Sequence, residues 1–98
     1  MRDGRTALIW ASISGKSGAI EKLINAKANL NITDNDGKTA LMFAAENGDY
    51  MSVKYLIDAG AFINVSDNLK RTALMYAMEN GNLDVINLLT KASLTYNK

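Results

Sequence analysis

The chain is 98 residues long with a net charge of +1, and it is 48% apolar and 21% charged, the balance of a folded domain rather than a disordered segment. A charge so close to zero speaks against a nucleic-acid or anionic-membrane binder, since both need clustered cations to release counterions. Cysteine and histidine are absent. Disulfides, thiolate chemistry, the usual neutral-pH base and the commonest metal ligand are therefore missing, and no catalytic residue, cofactor or metal is expected.

At the N-terminus, Met1-Arg2-Asp3-Gly4-Arg5 leads into no long apolar core. No signal peptide is expected, and the chain reads as cytoplasmic, with export as an effector left open. Thr6-Ala7-Leu8 opens a first helix, and Ser14-Gly15-Lys16-Ser17-Gly18 joins it to a second. That joint contains the Gly-Lys-Ser of a phosphate loop. The full motif needs a glycine five residues before Gly15, where Trp10 stands, and a preceding strand, so the stretch reads as an inter-helix turn. It is not a Gly-x-Ser-x-Gly elbow either, and no histidine is present to activate Ser17.

The next pair of helices is the clearest. The Thr39 hydroxyl can cap a helix start. Leu41, Ala44 and Ala45 then fall on one helical face, and Gly48 can end the helix in a left-handed conformation. Asp49 is a good cap for the following helix, whose apolar positions Val53, Leu56 and Ile57 keep the three-four rhythm until Gly60. The longest apolar run, residues 40–45, is far too short to span a bilayer. Asp34, Asp36 and Asp67 could imitate a paired-acid or metal site, but they fall in polar stretches where aspartate holds turns, so a solvated turn role is expected. Asn31-Ile32-Thr33 and Asn64-Val65-Ser66 match a glycosylation sequon; without a secretory signal they read as residues tying down loops.

The third pair repeats the second. Thr6, Thr39 and Thr72 are each followed by Ala-Leu at a spacing of 33, and the same spacing links Gly15, Gly48 and Gly81. It also links Ala11, Ala44 and Ala77; Leu23, Leu56 and Leu89; Ala26, Ala59 and Ala92; and Asn31, Asn64 and Asn97. Six columns in one register are not chance. One domain of three units is implied, residues 1–33, 34–66 and 67–98, which must stack to bury their apolar faces. Trp10, Phe43 and Tyr76 form an aromatic column at one repeat position. Helically spaced aromatics usually pack inward, so this column reads as a core stripe rather than a stacking platform for a ligand.

A 33-residue unit with Asp34-x-x-Gly37-x-Thr39-x-Leu41, then Asn47-Gly48, Leu56-Ile57-Asp58-Ala59-Gly60-Ala61 and Asn64 resembles the ankyrin repeat, and the likeness covers the whole chain. It implies an all-α solenoid of helix-turn-helix units joined by β-hairpin-like loops. Its Thr-Pro-Leu-His motif reads Thr-Ala-Leu-Met at residues 39–42 and 72–75, and Thr-Ala-Leu-Ile at residues 6–9. Lys70 stands where the turn glycine belongs, so that hairpin should change geometry or carry about 1 kcal/mol of strain. Lys27 and Ser93 replace the glycine that ends the second helix. The first repeat keeps Ile9, Trp10 and Ile13 and the last keeps Leu94 and Tyr96; without polar caps both ends should be sticky, so the chain should either self-associate there or fray at one end, the C-terminal one first.

The resemblance further implies binding to a protein partner on the concave face of loop tips and first helices. Carried over by position, that face is Arg2, Asp3, Arg5, Ile13 and Ser14; then Asp34, Asn35, Asp36, Lys38, Glu46 and Asn47; then Asp67, Asn68, Leu69, Arg71, Glu79 and Asn80. Leu69, Ile13 and the arginines would anchor, and the acids lean towards a basic partner. Lys38 and Arg71 fall on turns, where substitution should hardly alter stability. The alternative is a structural segment of a longer array whose binding site lies in other repeats.

Overall fold

The computed structural model describes residues 4–96. Six helices run in the order α1 (Ala7–Ile13), α2 (Ser17–Asn25), α3 (Ala40–Asn47), α4 (Tyr50–Asp58), α5 (Ala73–Asn80) and α6 (Leu83–Tyr96). The first helices of the repeats, α1, α3 and α5, pack side by side in one row, and α2, α4 and α6 form a second row behind them. Three repeats side by side measure 32 × 28 × 26 Å, so the stack is about as wide as it is long.

Capping sets where each first helix begins. The hydroxyls of Thr6, Thr39 and Thr72 accept the backbone N–H of Ile9, Met42 and Met75 at 3.2–3.3 Å, satisfying one of the orphan amides of each helix. Gly48 and Gly81 end α3 and α5 in the left-handed region. Asp49 caps α4 through the Ser52 amide and hydroxyl, and Asn82 accepts the amides of Asp84 and Val85 at the start of α6.

The core is wider than the periodicity of one helix implies. In α3 all six residues 40–45 are buried, including Met42 and Phe43, because α3 has a first helix on each side and α4 behind it. A helix enclosed in this way is apolar all round. Ser12 and Ser52 are also fully buried; each keeps its hydroxyl satisfied, on Leu8 O at 2.9 Å and on the Asp49 carboxylate at 2.6 Å.

Of three sequence-based expectations, the first is met in its strained form and the other two change. Lys70 keeps the hairpin geometry, with φ at +67°, and Lys27 likewise takes the left-handed turn after α2 at +68°; both therefore carry the β-carbon strain of that region. Ser93 does not end its helix. α6 runs for 14 residues where α2 and α4 run for 9. Finally, the two ends differ. Ile9 is buried against α3 and Ile13 is half-buried, so the N-terminal end shows the small residues Ala7, Gly18 and Ala19 instead. Trp10 is exposed as expected, but the larger apolar exposure lies at the other end, at Met75, Met78 and Leu94. The Tyr96 side chain and Asn97 lie outside the described residues.

Leu56 is fully buried in the middle repeat. Leu56→Ala should cost on the order of 2–5 kcal/mol, a large share of the stability of so small a domain. A thermal melt followed by circular dichroism should show the variant largely unfolded near body temperature. A transition within a few degrees of the parent would contradict the packing.

Candidate functional site

The hairpins between repeats are rooted in two largely buried aspartates. Asp34 and Asp67 are each only 6% exposed, which corrects the solvated role expected of them. Each carboxylate folds its own turn. Asp34 accepts the amides of Asp36 and Lys38 at 2.9 Å, and Asp67 those of Leu69 and Arg71 at 2.9 Å. The backbone closes the turns with Asp34 N–H to Lys38 O and Asp67 N–H to Arg71 O, both 2.9 Å. An antiparallel bridge of Ser66 with Thr72 is the sheet-like element among the described residues.

The remaining oxygen finds a different donor in each hairpin. At Asp34 it is the Arg5 guanidinium of the preceding repeat, at 3.5 Å. At Asp67 it is the Tyr76 hydroxyl, a short hydrogen bond. Phe43 has no hydroxyl to offer Asp34, so an arginine stands in. Burial alone would raise the Asp67 carboxyl, but the bonds from Tyr76 and from the Arg71 and Leu69 amides, with the Arg71 charge, hold it below 3.8. Burial and the bond to Asp67 push Tyr76 up to about 12.

Along the same face, cations alternate with rings. The Arg5 guanidinium carbon lies 5.1 Å from the Trp10 centroid and 5.5 Å from that of Phe43. Lys38 Nζ lies 4.2 Å from Phe43 and 4.5 Å from Tyr76, and Arg71 lies 5.7 Å from Tyr76. Phe43 and Tyr76 are buried, whereas Trp10 is 39% exposed. The aromatic column is thus a packed stripe whose rings are faced by the chain's own cations. Trp10 and its edge belong to this surface although the sequence reading did not assign it there; the aromatic column was the signal.

The expected face residues divide into two groups. Arg2 and Asp3 lie outside the described residues. Asp34 and Asp67 are withdrawn into the turns, and Lys38, with 16% of its side chain exposed, is wedged between two rings and paired with Glu46 at 2.8 Å. Its substitution would therefore disturb stability, contrary to the expectation for a turn lysine. Three asparagines join repeats. Asn47 Nδ2 donates to Ser12 O and Ile13 O at 2.8 Å, Asn80 to Glu46 O at 3.1 Å, and Asn68 to Asn35 O at 3.1 Å. Asn82, which the sequence reading passed over, makes a fourth tie to Gly48 O at 3.1 Å; its only signal was its place at a helix start. Ser14, Asn35, Asp36, Glu46, Leu69 and Glu79 remain exposed, Ile13 and Arg71 half-buried, with Arg71 and Glu79 loosely paired at 4.0 Å.

This arrangement, six helices in two rows with hairpins rooted on buried aspartates, is that of the family whose model, ankyrin repeats in three copies, matches residues 8–98. The chain belongs to the ankyrin-repeat family. Ankyrin repeats are generally protein–protein interaction modules and typically not enzymes. No curated protein matches the chain. Among the described residues no cluster of three or more acids is placed to hold a metal ion, and no helix is long and apolar enough to cross a membrane. Two shallow depressions, one lined by Tyr50, Asp84, Asn87, Leu88 and Lys91 and one by Ile24, Lys27, Leu30 and Ala59, lie in the second row of helices.

The tyrosine–aspartate contact sets a pH dependence. A carboxylate held below its unfolded value stabilises the fold above about pH 4, and that contribution is lost as pH falls through the folded value. A tyrosine raised to about 12 stabilises fully below its unfolded value of 10.0, and that contribution is lost as pH climbs towards 12. Tyr76→Phe leaves a buried carboxylate one donor short and should cost about 1–3 kcal/mol at neutral pH. Its acid unfolding should begin at higher pH than the parent's, and the decline above pH 10 should shrink. Denaturant melts across the pH range check all three; matching curves for parent and variant would sink the assignment.

Proposed function

We propose that this ankyrin-repeat chain binds a protein partner on the face made by its hairpin tips and the exposed sides of α1, α3 and α5. The observation that carries this reading is the contrast within the face. Its base is fixed by interlocking bonds, and no buried side-chain polar atom among the described residues lacks a partner. From that base project exposed side chains, above all Leu69 at 70% exposure and Asp36, with Glu46 and Glu79 beside them paired to Lys38 and Arg71 on one side only. A rigid support carrying exposed, mixed side chains suits recognition, because little ordering entropy is lost on binding. The charges support a basic partner. Arg5, Lys38 and Arg71 are each matched by an acid of the chain itself, which leaves Asp36 and the outer sides of the glutamates to meet incoming cations, with Leu69 as an apolar anchor.

Paired variants test this. Asp36→Lys with Leu69→Glu alters only exposed tips and should leave stability within about 0.5 kcal/mol. Partners captured by the parent chain and identified by mass spectrometry should be lost with this variant. They should be retained with Asp58→Lys and Lys91→Glu on the second-row helices. The opposite pattern would move the site off this face.

A second reading is self-association, and it is favoured at one end only. Met75 and Met78 are exposed where their counterparts Met42 and Ala45 are covered by the next repeat. Sedimentation of the purified chain should give a mass that rises with concentration, and Met75→Lys with Met78→Glu should abolish the rise. A single monomer mass at every concentration would exclude this reading.

A further inference from the structure

Gly4 and the two hairpins rooted on Asp34 and Asp67 do not offer the same surface to whatever stacks next. At one repeat position Gly4 and Gly37 both have positive φ, +76° and +78°. In each case the following hairpin sits directly on that glycine. A β-carbon on Gly37 would lie 2.6 Å from Asn68 Oδ1 and 3.0 Å from Asn68 N, and one on Gly4 would lie 2.8 Å from Asn35 Oδ1. Real β-carbons essentially never approach as closely as the two carboxamide contacts, and the contact with the Asn68 backbone N is tighter than nine in ten. The seat also carries a repeat-to-repeat join, because Asn68 N–H donates to Asp36 O at 3.0 Å and Asn68 Nδ2 to Asn35 O at 3.1 Å. In the hairpin rooted on Asp67 the same left-handed position is Lys70. Its β-carbon occupies the place where an asparagine of a following hairpin would sit.

Two other departures fall on the same end. In α1 and α3 the residue facing the next first helix is Ser12 or Ala45, each fully buried, and in α5 it is Met78, 61% exposed. The small residues let neighbouring helices approach closely; methionine at that position holds a neighbour away. The chain path also changes. α2 and α4 stop at Asn25 and Asp58, and at Lys27 and Gly60 the backbone turns left-handed towards the next hairpin. α6 instead continues through Ser93, whose hydroxyl bonds Asn64 Oδ1 at 3.1 Å. Gly81 still has nothing within 4 Å of where a β-carbon would stand, so the obstruction lies at the hairpin, along α5 and after α6, not at the end of α5.

We infer that Lys70, Met78 and the unbroken α6 close the C-terminal face of the third repeat to any further ankyrin repeat in the register that joins the first three. Lys70 is the principal element, since a backbone-attached carbon cannot swing aside as a methionine side chain can. The apolar face at Met75 and Met78 is then not a stacking face left bare, and a repeat appended there gains no purchase on it.

The test appends a copy of residues 33–66 behind Lys98, which keeps the 33-residue spacing, and compares the parent sequence with a Lys70→Gly/Met78→Ala/Ser93→Gly version. Amide hydrogen exchange reads the appended segment residue by residue. In the parent background its amides should exchange at unfolded rates. In the triple variant they should be slowed on the order of 100-fold or more. Lys70→Gly alone, which relieves a strained backbone and leaves the core untouched, guards against a triple variant that folds poorly; it should recover part of the protection. Equal protection in the parent and triple backgrounds overturns the inference. So does an appended repeat left unprotected in every background, because the barrier would then not reside in these residues.

Discussion

A carboxylate buried at the root of a turn has to be met by donors, and at Asp34 and Asp67 this requirement organises the chain on both sides. Two amides of the turn itself supply half of the answer, which fixes the hairpin. The other half comes from a side chain, and where that side chain originates decides what the bond joins. Arg5 reaches Asp34 from the preceding repeat and so fastens two repeats together. Tyr76 reaches Asp67 from the helix that follows and so fastens the hairpin to α5. The same carboxylate position therefore serves as a cross-repeat link in one unit and an internal brace in the next.

What was legible in the sequence was whatever depends on near neighbours along the chain. Thr39, Gly48 and Asp49 announce helix ends because a cap is a contact over three or four residues. The 33-residue columns announce stacking because each repeat must present the same apolar face. What escaped depends on the repeat next door. Asp34 reads as a surface turn residue until Arg5 closes over it, and Lys38 as a loose cation until Phe43 and Tyr76 enclose it. Ser93 resembles a helix stop by its column, yet nothing in the local sequence opposes a continuing helix, and the helix continues. Ile9 looked like a bare end because the direction in which each column faces cannot be read from one helix alone.

The candidate face shows the same division. Asn47, Asn68 and Asn80 share their columns with residues a partner would touch, but their amide groups donate to carbonyls of the preceding repeat. These asparagines stand at the surface and act as joints. On the proposed reading, recognition falls to positions where the columns differ in chemistry, such as Asp36 against Leu69. In a scaffold whose interior is repetitive, the positions that break the repetition are the ones able to distinguish one partner from another.

The interleaved cations have a consequence for how the molecule comes apart. Arg5 and Lys38 each lie between rings of two adjacent repeats, so neither repeat owns them. If one repeat melts, the cation of its neighbour loses a ring, and Glu46 or Asp34 loses the geometry of its ion pair. The interface contribution therefore vanishes in steps of whole repeats rather than residue by residue. Each loss weakens the next junction along the row. Among these three units, loss of one repeat is expected to bring down its neighbours, with few stable intermediates between.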